Sequence, residues 1–151
     1  MRPRVFLDTN IMLDLILERP GYEDAARILQ MQEDGDIEVC LSVLSVANIA
    51  YVLRKTVPHA LIAPTLKQIS SVVRVLPMDD SQLQQALLLD GPDMEDLLQI
   101  VCAKAEGCPV LLTHNTRDFR IRKGLHETFV IPEIQTPESF LKGWHALQKT
   151  D

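Results

Sequence analysis

The sequence predicts an α/β domain, in which helices cover both faces of a central parallel sheet of about five strands to form a three-layer α/β/α sandwich. Two observations carry this prediction. Short apolar segments alternate with longer amphipathic ones, as strands alternate with helices in such folds. The short segments are also continuously apolar, which is typical of strands covered on both faces. No linker, repeat or low-complexity segment interrupts the pattern, so we expect residues 1–151 to form a single domain.

In the first half of the chain the predicted elements end at recognisable stop signals. The first helix stops before Pro20, the second stops at Gly35, and the third stops near Thr56 because Pro58 disfavours a helical Val57. Ser42 or Ser45 can cap the third helix. Strands are predicted at 5–7, 37–41 and 72–76, and helices at 11–16, 22–32, 42–56 and 60–69.

The second half continues the alternation. Gly91 and Pro92 separate two helices, and Gly107 ends the second of them. A polar loop is expected at 114–123. Strands are predicted at 110–113 and 129–131, and helices at 82–89, 93–107 and 137–148.

Composition restricts the function. The chain has 15 Lys and Arg against 21 Asp and Glu, a net charge of −6, which argues against a generic basic nucleic-acid binder but not against an enzyme whose acids hold a metal. Three cysteines without a CxxC pair and four histidines without HxxxH or HExxH spacing give no support to a zinc site. No segment approaches the roughly 20 apolar residues that span a bilayer. We therefore expect a soluble, cytoplasmic protein without membrane contact.

Polar residues follow the predicted strands where a parallel sheet binds its ligands, at the carboxyl ends. Asp8 directly follows the first strand, where it is either a helix N-cap or a desolvated carboxylate that needs a cation or hydrogen-bond donors. Asp93 and Asp96 open the helix before the fourth strand, and simple capping is the alternative there too. Asn48 lies beside the apolar stripe of its helix, as a core amide or as a site residue.

The end of the fourth strand completes this candidate site. Thr113 and Asn115 follow the strand, with Asp118 close behind. The combined set is rich in oxygen ligands, which favours Mg²⁺ or Mn²⁺ over zinc. The adjoining loop carries four cations within seven residues, a density suited to a phosphate backbone unless the loop is only a solvated turn. These cations are Arg117, Arg120, Arg122 and Lys123.

Four segments together resemble the successive motifs of PIN domains: FLDTNI (6–11), SVLSVANIAYVLRK (42–55), DMEDLLQ (93–99) and LTHNTRDF (112–119). The resemblance implies a metal-dependent ribonuclease with an α/β/α sandwich, and many members are VapC-type toxins neutralised by a small antitoxin. It makes Asp8 the first metal-binding acid and Asp96 the third. The usual second acid, a glutamate, is replaced by Asn48. A fourth acid is replaced by Asn115, with Asp118 three residues further on.

The leading hypothesis is therefore a Mg²⁺- or Mn²⁺-dependent endoribonuclease, the toxin of a toxin-antitoxin pair. Asp8 and Asp96 hold the ion, and Asn48, Asn115 and Asp118 complete the catalytic set. RNA is contacted by Asn10, Arg54, Lys55 and Thr113, and by the four cations of the 117–123 loop. The implied partners are the RNA substrate and a protein antitoxin, and a homodimer is left open.

Two alternatives remain. Because two expected carboxylates are amides, the same fold can instead serve as an interaction or RNA-binding module that does not cut. An aspartyl-nucleophile phosphatase would also place an aspartate after the first strand. Such an enzyme requires a second aspartate two residues later, where this chain has Asn10.

Overall fold

The computed structural model of the protein describes residues 2–117, 119 and 131–149. In this part of the chain five strands form one sheet in the order β3-β2-β1-β4-β5, and every neighbouring pair is parallel. The predicted parallel sheet is therefore confirmed. The strands are β1 (Arg4–Leu7), β2 (Glu38–Ser42), β3 (Arg74–Leu76), β4 (Val110–Leu112) and β5 (Glu133–Gln135).

Seven α-helices connect and cover the strands within the described ranges. A short 3₁₀ turn, His59–Leu61, leads into the fourth helix. The helices are α1 (Thr9–Leu17), α2 (Tyr22–Glu33), α3 (Val43–Thr56), α4 (Ile62–Val72), α5 (Asp80–Leu88), α6 (Met94–Ala105) and α7 (Pro137–Lys149).

Two apolar cores lie on opposite faces of the sheet, because successive side chains of a strand point to opposite sides. Val5 and Leu7 of β1 pack in the core that includes side chains of α1, α2, α3, α4 and α7. Phe6, between them, packs in the other core with α5 and α6. The three layers of the predicted sandwich are thus present, with the site-forming ends of β1 and β4 in its middle.

The predicted fifth strand is wrong in position. Residues 129 and 130 lie outside the described part of the chain, and Ile131 belongs to no strand. The fifth strand is β5 instead, which begins two residues further on at one edge of the sheet, where the Glu133 N–H donates to the Pro109 carbonyl oxygen (2.9 Å). None of the β5 residues is fully buried, so this edge strand lacks the apolar run by which the inner strands were recognised.

The boundary between α4 and β3 also differs from the prediction. The helix extends to Val72, so the strand begins at Arg74 and only the end of the β-branched segment is extended. None of the helices in the described ranges is long and apolar enough to cross a membrane.

Candidate active site

The candidate site lies where the strand order reverses. The chain adds β2 and β3 on one side of β1 and then crosses to add β4 and β5 on the other side, so the strand order switches between β1 and β4. In open α/β sheets such a switch point forms a crevice at the carboxyl ends of the strands. Asp8 occupies this crevice, since its N–H donates to the carbonyl oxygen of Leu112 at the end of β4 (2.9 Å).

The Asp8 carboxylate is buried, with 8% of the residue exposed, and both of its oxygens accept hydrogen bonds. One oxygen accepts from the Thr9 N–H (2.8 Å) and the other from the Thr113 hydroxyl (3.0 Å). Asp8 is the N-cap residue of α1, but it bonds the first helical N–H instead of the second or third that a cap side chain usually bonds. The two sequence interpretations, cap and candidate site residue, therefore apply to the same carboxylate.

Burial raises the pKa of Asp8 above its usual value. Hydrogen bonds from Thr113 and Thr9 and the nearby His114 oppose this rise, and the carboxylate of Asp93 adds to it. A desolvated carboxylate beside a second carboxylate is a place where a cation stabilises the charged form.

The amino end of α6 carries three acids. Asp93 is exposed and caps the helix, because its carboxylate accepts the N–H of Asp96 (3.1 Å). The capping alternative therefore holds for Asp93. Asp96, the predicted metal ligand, is half-buried in the first turn.

Glu95 is the acid of this turn that faces α3. Its carboxylate accepts a hydrogen bond from the Asn48 side-chain amide (2.9 Å). Partial burial and the carboxylates of Asp8 and Asp93 raise the pKa of Glu95. Asn48 is half-buried, and its amide donates to the side chain of Glu95. This arrangement fits a site residue better than an amide of the apolar core. Glu95 was not among the predicted site residues.

A buried polar network supports the floor of the site. The Thr9 hydroxyl bonds the Ser45 hydroxyl (2.9 Å), which accepts from the Gln99 amide (2.9 Å). The Ser42 hydroxyl donates to the Gln99 carbonyl oxygen (2.7 Å). These four buried side chains join α1, the start of α3 and α6, and sequence analysis missed Gln99 and the pairing. A polar residue inside the apolar stripe of Leu97, Ile100 and Val101 was the available signal.

The residues after β4 divide into two groups. Thr113 lies against Asp8, and its hydroxyl also accepts the N–H of Asn115 (3.2 Å), which is exposed. His114 contacts the buried carboxylate of Asp14, which also lies 3.7 Å from the Arg19 guanidinium. The structure therefore places the Thr113 side chain against Asp8 and the backbone N–H of Asn115 beside Thr113.

The predicted RNA contacts are more scattered. Asn10, in the first turn of α1, and Arg117, five residues after β4, are both exposed. Arg54 and Lys55 lie in the last turn of α3, about 15 Å along the helix from its site end, and their charged groups lie 4.7 and 4.5 Å from the Tyr51 ring centroid. The remaining predicted residues, Asp118, Arg120, Arg122 and Lys123, lie outside the described residues.

The donors around Asp8 fit a hard divalent ion in type, since they are carboxylate, amide and hydroxyl oxygens. Within the described ranges, no three His, Cys, Asp or Glu side chains converge closely enough to enclose an ion. Such a set suits Mg²⁺ better than a metal that needs a complete protein cage, because Mg²⁺ is held by one or two carboxylates and keeps several waters.

Comparison with known proteins assigns the fold to a family. A sequence model of the family described as PIN domain matches residues 4–117, which include β1 to β4 and the residues around Asp8. The chain belongs to the PIN-domain family. A relative, Ribonuclease VapC1 from Aquifex aeolicus (strain VF5), is 24% identical over 152 residues, covering 95% of this chain and 97% of that protein.

Solved structures share the PIN fold with this chain. The DNA-bound VapBC complex from Salmonella typhimurium contains a chain with a TM-score of 0.64 and 19% identity, covering 89% of this chain and 98% of its own. FitAcB from Neisseria gonorrhoeae has a TM-score of 0.61 and 17% identity, covering 89% of this chain and 98% of its own. VapC20 from Mycobacterium tuberculosis, described as a sarcin-ricin loop cleaving toxin, has a TM-score of 0.56 and 16% identity, covering 85% of this chain and 99% of its own. At these identities the likeness shows the fold alone.

Proposed function

We propose that this PIN-domain protein is an endoribonuclease, the toxin of a toxin-antitoxin pair, that hydrolyses RNA phosphodiester bonds with the help of Mg²⁺ or Mn²⁺. Family membership and the ribonuclease relative support the class of reaction. The observation that carries the proposal is Asp8, a buried carboxylate at the switch point of the sheet with its pKa raised by burial.

In this proposal Asp8 and Asp96 hold the ion. The ion would lower the pKa of a bound water and stabilise charge on the phosphate. Thr113 fixes the orientation of the Asp8 carboxylate through its hydroxyl (3.0 Å). Asn10 and Asn115, both exposed at the site edge, donate to phosphate oxygens. Asp118 remains a proposed member of the catalytic set.

Basic side chains guide the RNA strand towards this edge. Arg117 is exposed and is the first Arg or Lys that follows β4 in the chain, and Arg54 and Lys55 offer a second contact at the far end of α3. We assign the same role to Arg120, Arg122 and Lys123. A protein of this kind would act in the cytoplasm, where its RNA substrates are.

The test is RNA cleavage by purified Asp8→Asn and Asp96→Asn variants. Total cellular RNA serves as substrate, and new 5′ ends are mapped by sequencing with Mg²⁺ or with EDTA. Both variants and the EDTA samples should lose cleavage, while Asp24→Asn, an acid in the first turn of α2, should cut like the wild type. Full activity of either site variant would refute the assignment.

The antitoxin partner and a homodimer are proposed from structural neighbours, one solved in a toxin-antitoxin complex from Klebsiella pneumoniae and one in the VapBC complex from Salmonella typhimurium. Co-expression with the product of an adjacent short reading frame should yield a complex on size-exclusion chromatography and suppress cleavage. Light scattering on the isolated chain gives the oligomeric state, and a monomer at micromolar concentration would remove the dimer from the proposal.

A second candidate function is a PIN-fold interaction module that does not cut RNA. The amides at 48 and 115, where acids were expected, favour it. Calorimetry with Mn²⁺ separates the two, because a module without a metal site would show no binding at millimolar ion while still binding RNA or the antitoxin.

A further inference from the structure

We propose that Glu95 supplies a further negative charge to the ion site of Asp8 and Asp96, and that Asn48 is the positioning residue that holds Glu95 there. This inference rests on the proposed function and names a residue of that site. Its basis is the way α3 and α6 are bonded to each other and to Asp8.

Two hydrogen bonds join α3 to α6 one helical turn apart. The lower bond runs from the Gln99 amide to the Ser45 hydroxyl (2.9 Å). The upper bond runs from the Asn48 amide to the Glu95 carboxylate (2.9 Å). Ser45 and Asn48 are three residues apart and Glu95 and Gln99 are four apart, so each pair shares one face of its helix. The Glu95 carboxylate therefore lies directly above the buried network.

The lower bond is fixed relative to Asp8. Ser45 bonds the Thr9 hydroxyl (2.9 Å), and the Thr9 N–H bonds the Asp8 carboxylate (2.8 Å). Thr9, Ser45 and Gln99 are buried, so this chain of contacts sets the position of α6 against the site. Glu95 is thereby held on the same side of the crevice as Asp8.

The chemistry of the Asn48 contact explains why the charge persists. Glu95 is exposed, and the side-chain amide N–H of Asn48 holds its carboxylate through a hydrogen bond (2.9 Å). An amide orients a carboxylate without cancelling its charge, whereas lysine or arginine would neutralise it. The charge of Glu95 thus remains available to a cation beside Asp8.

The test measures Mn²⁺ affinity by calorimetry and unfolding by urea in EDTA. Glu95→Gln should bind Mn²⁺ about ten-fold more weakly. In EDTA it should be as stable as the wild type or more so, because a repelling charge is gone. The matched control is Glu23→Gln, since Glu23 is also in the first turn of a helix. If Glu95 were only structural, Glu95→Gln would lower stability and leave Mn²⁺ affinity unchanged, which would overturn the inference.

Two further variants test the role of Asn48. Asn48→Ala should weaken Mn²⁺ binding while Glu95 is still present. The double variant Asn48→Glu with Glu95→Gln exchanges donor and carboxylate across the same hydrogen bond, and it should recover affinity relative to Glu95→Gln. A folded double variant that binds as weakly as Glu95→Gln would contradict the assignment.

Failure of this inference differs from failure of the proposed function. If Asp8→Asn keeps both Mn²⁺ binding and cleavage, the proposed function fails and the inference fails with it. If Asp8→Asn loses both while Glu95→Gln keeps wild-type affinity, the ribonuclease assignment stands and only the role of Glu95 is refuted.

Discussion

Replacing Gln99 by leucine tests whether the buried polar network stabilises the fold around the site. Gln99 is fully buried and uses both ends of its amide. It donates to the Ser45 hydroxyl (2.9 Å) and accepts from the Ser42 hydroxyl (2.7 Å). Leucine has a similar size but cannot replace either bond, so Gln99→Leu removes two interactions without opening a large cavity.

The expected loss of stability follows from these two bonds. Each buried hydrogen bond contributes about 1 kcal/mol net, so their removal should lower the free energy of unfolding by about 2 kcal/mol. Ser42 and Ser45 retain their mutual contact (3.3 Å), which limits the penalty for stranded hydroxyls. For a chain of this size, about 2 kcal/mol corresponds to a fall in Tm of about 4–8 °C.

Urea unfolding in EDTA measures the effect without interference from metal binding. The midpoint should fall while the slope stays unchanged, as expected when only the stability of the native state changes. Gln84→Leu is the control, because Gln84 is exposed on α5 and makes one side-chain bond, to Asp80 (3.2 Å). Its effect should stay within about 0.5 kcal/mol. If Gln99→Leu were no more destabilising than this control, the reasoning would be refuted.

Three other results are expected. In EDTA at pH 7, Asp8→Asn should unfold at a higher urea concentration than the wild type, and this difference should disappear towards pH 4. The reason is that the pKa of Asp8 is raised in the folded state, so the stability of the wild type falls as pH rises through that folded-state pKa. Equal urea midpoints at pH 7 would contradict this. Thr113→Val should lower unfolding free energy by about 1–3 kcal/mol, since Asp8 loses a buried donor. Cys40, Cys102 and Cys108 should react with Ellman's reagent only in urea, because all three are buried and burial raises the pKa of Cys102 to about 12.

Most elements could be predicted from the sequence because their signals are local. Each inner strand is a short apolar run, and Pro20, Gly35 and Pro58 mark where helices stop. The fifth strand could not be placed because an edge strand is covered on fewer sides. Glu133 and Gln135 pair through backbone atoms that any residue supplies, so the Glu-Ile-Gln segment has no apolar signature.

Only part of the candidate site could be predicted from the sequence, because only some of its residues have a local signal. Asp8 and Thr113 follow strands directly, so sheet topology alone brings them together. The acids of α6 are different, because adjacent helical residues point about 100° apart. Whether Glu95 or Asp96 faces α3 depends on how α6 is rotated, and that rotation is set by Gln99 bonding residues more than 50 positions earlier. No local pattern contains this information.

The amide at position 48 and the acid at position 95 depend on each other, because the two side chains share one hydrogen bond. The Asn48 amide lies at hydrogen-bond distance from the Glu95 carboxylate. The carboxylates of Asp8 and Asp93 already repel that carboxylate. A second ionised carboxylate at 48 would face Glu95 with no proton between them, and one of the two would have to bind a proton or a cation. With Asn48 present, the Glu95 carboxylate faces an amide of α3 instead of a second carboxylate that would repel it. Asn48→Glu alone should therefore destabilise the protein in EDTA, and adding Glu95→Gln should remove that penalty.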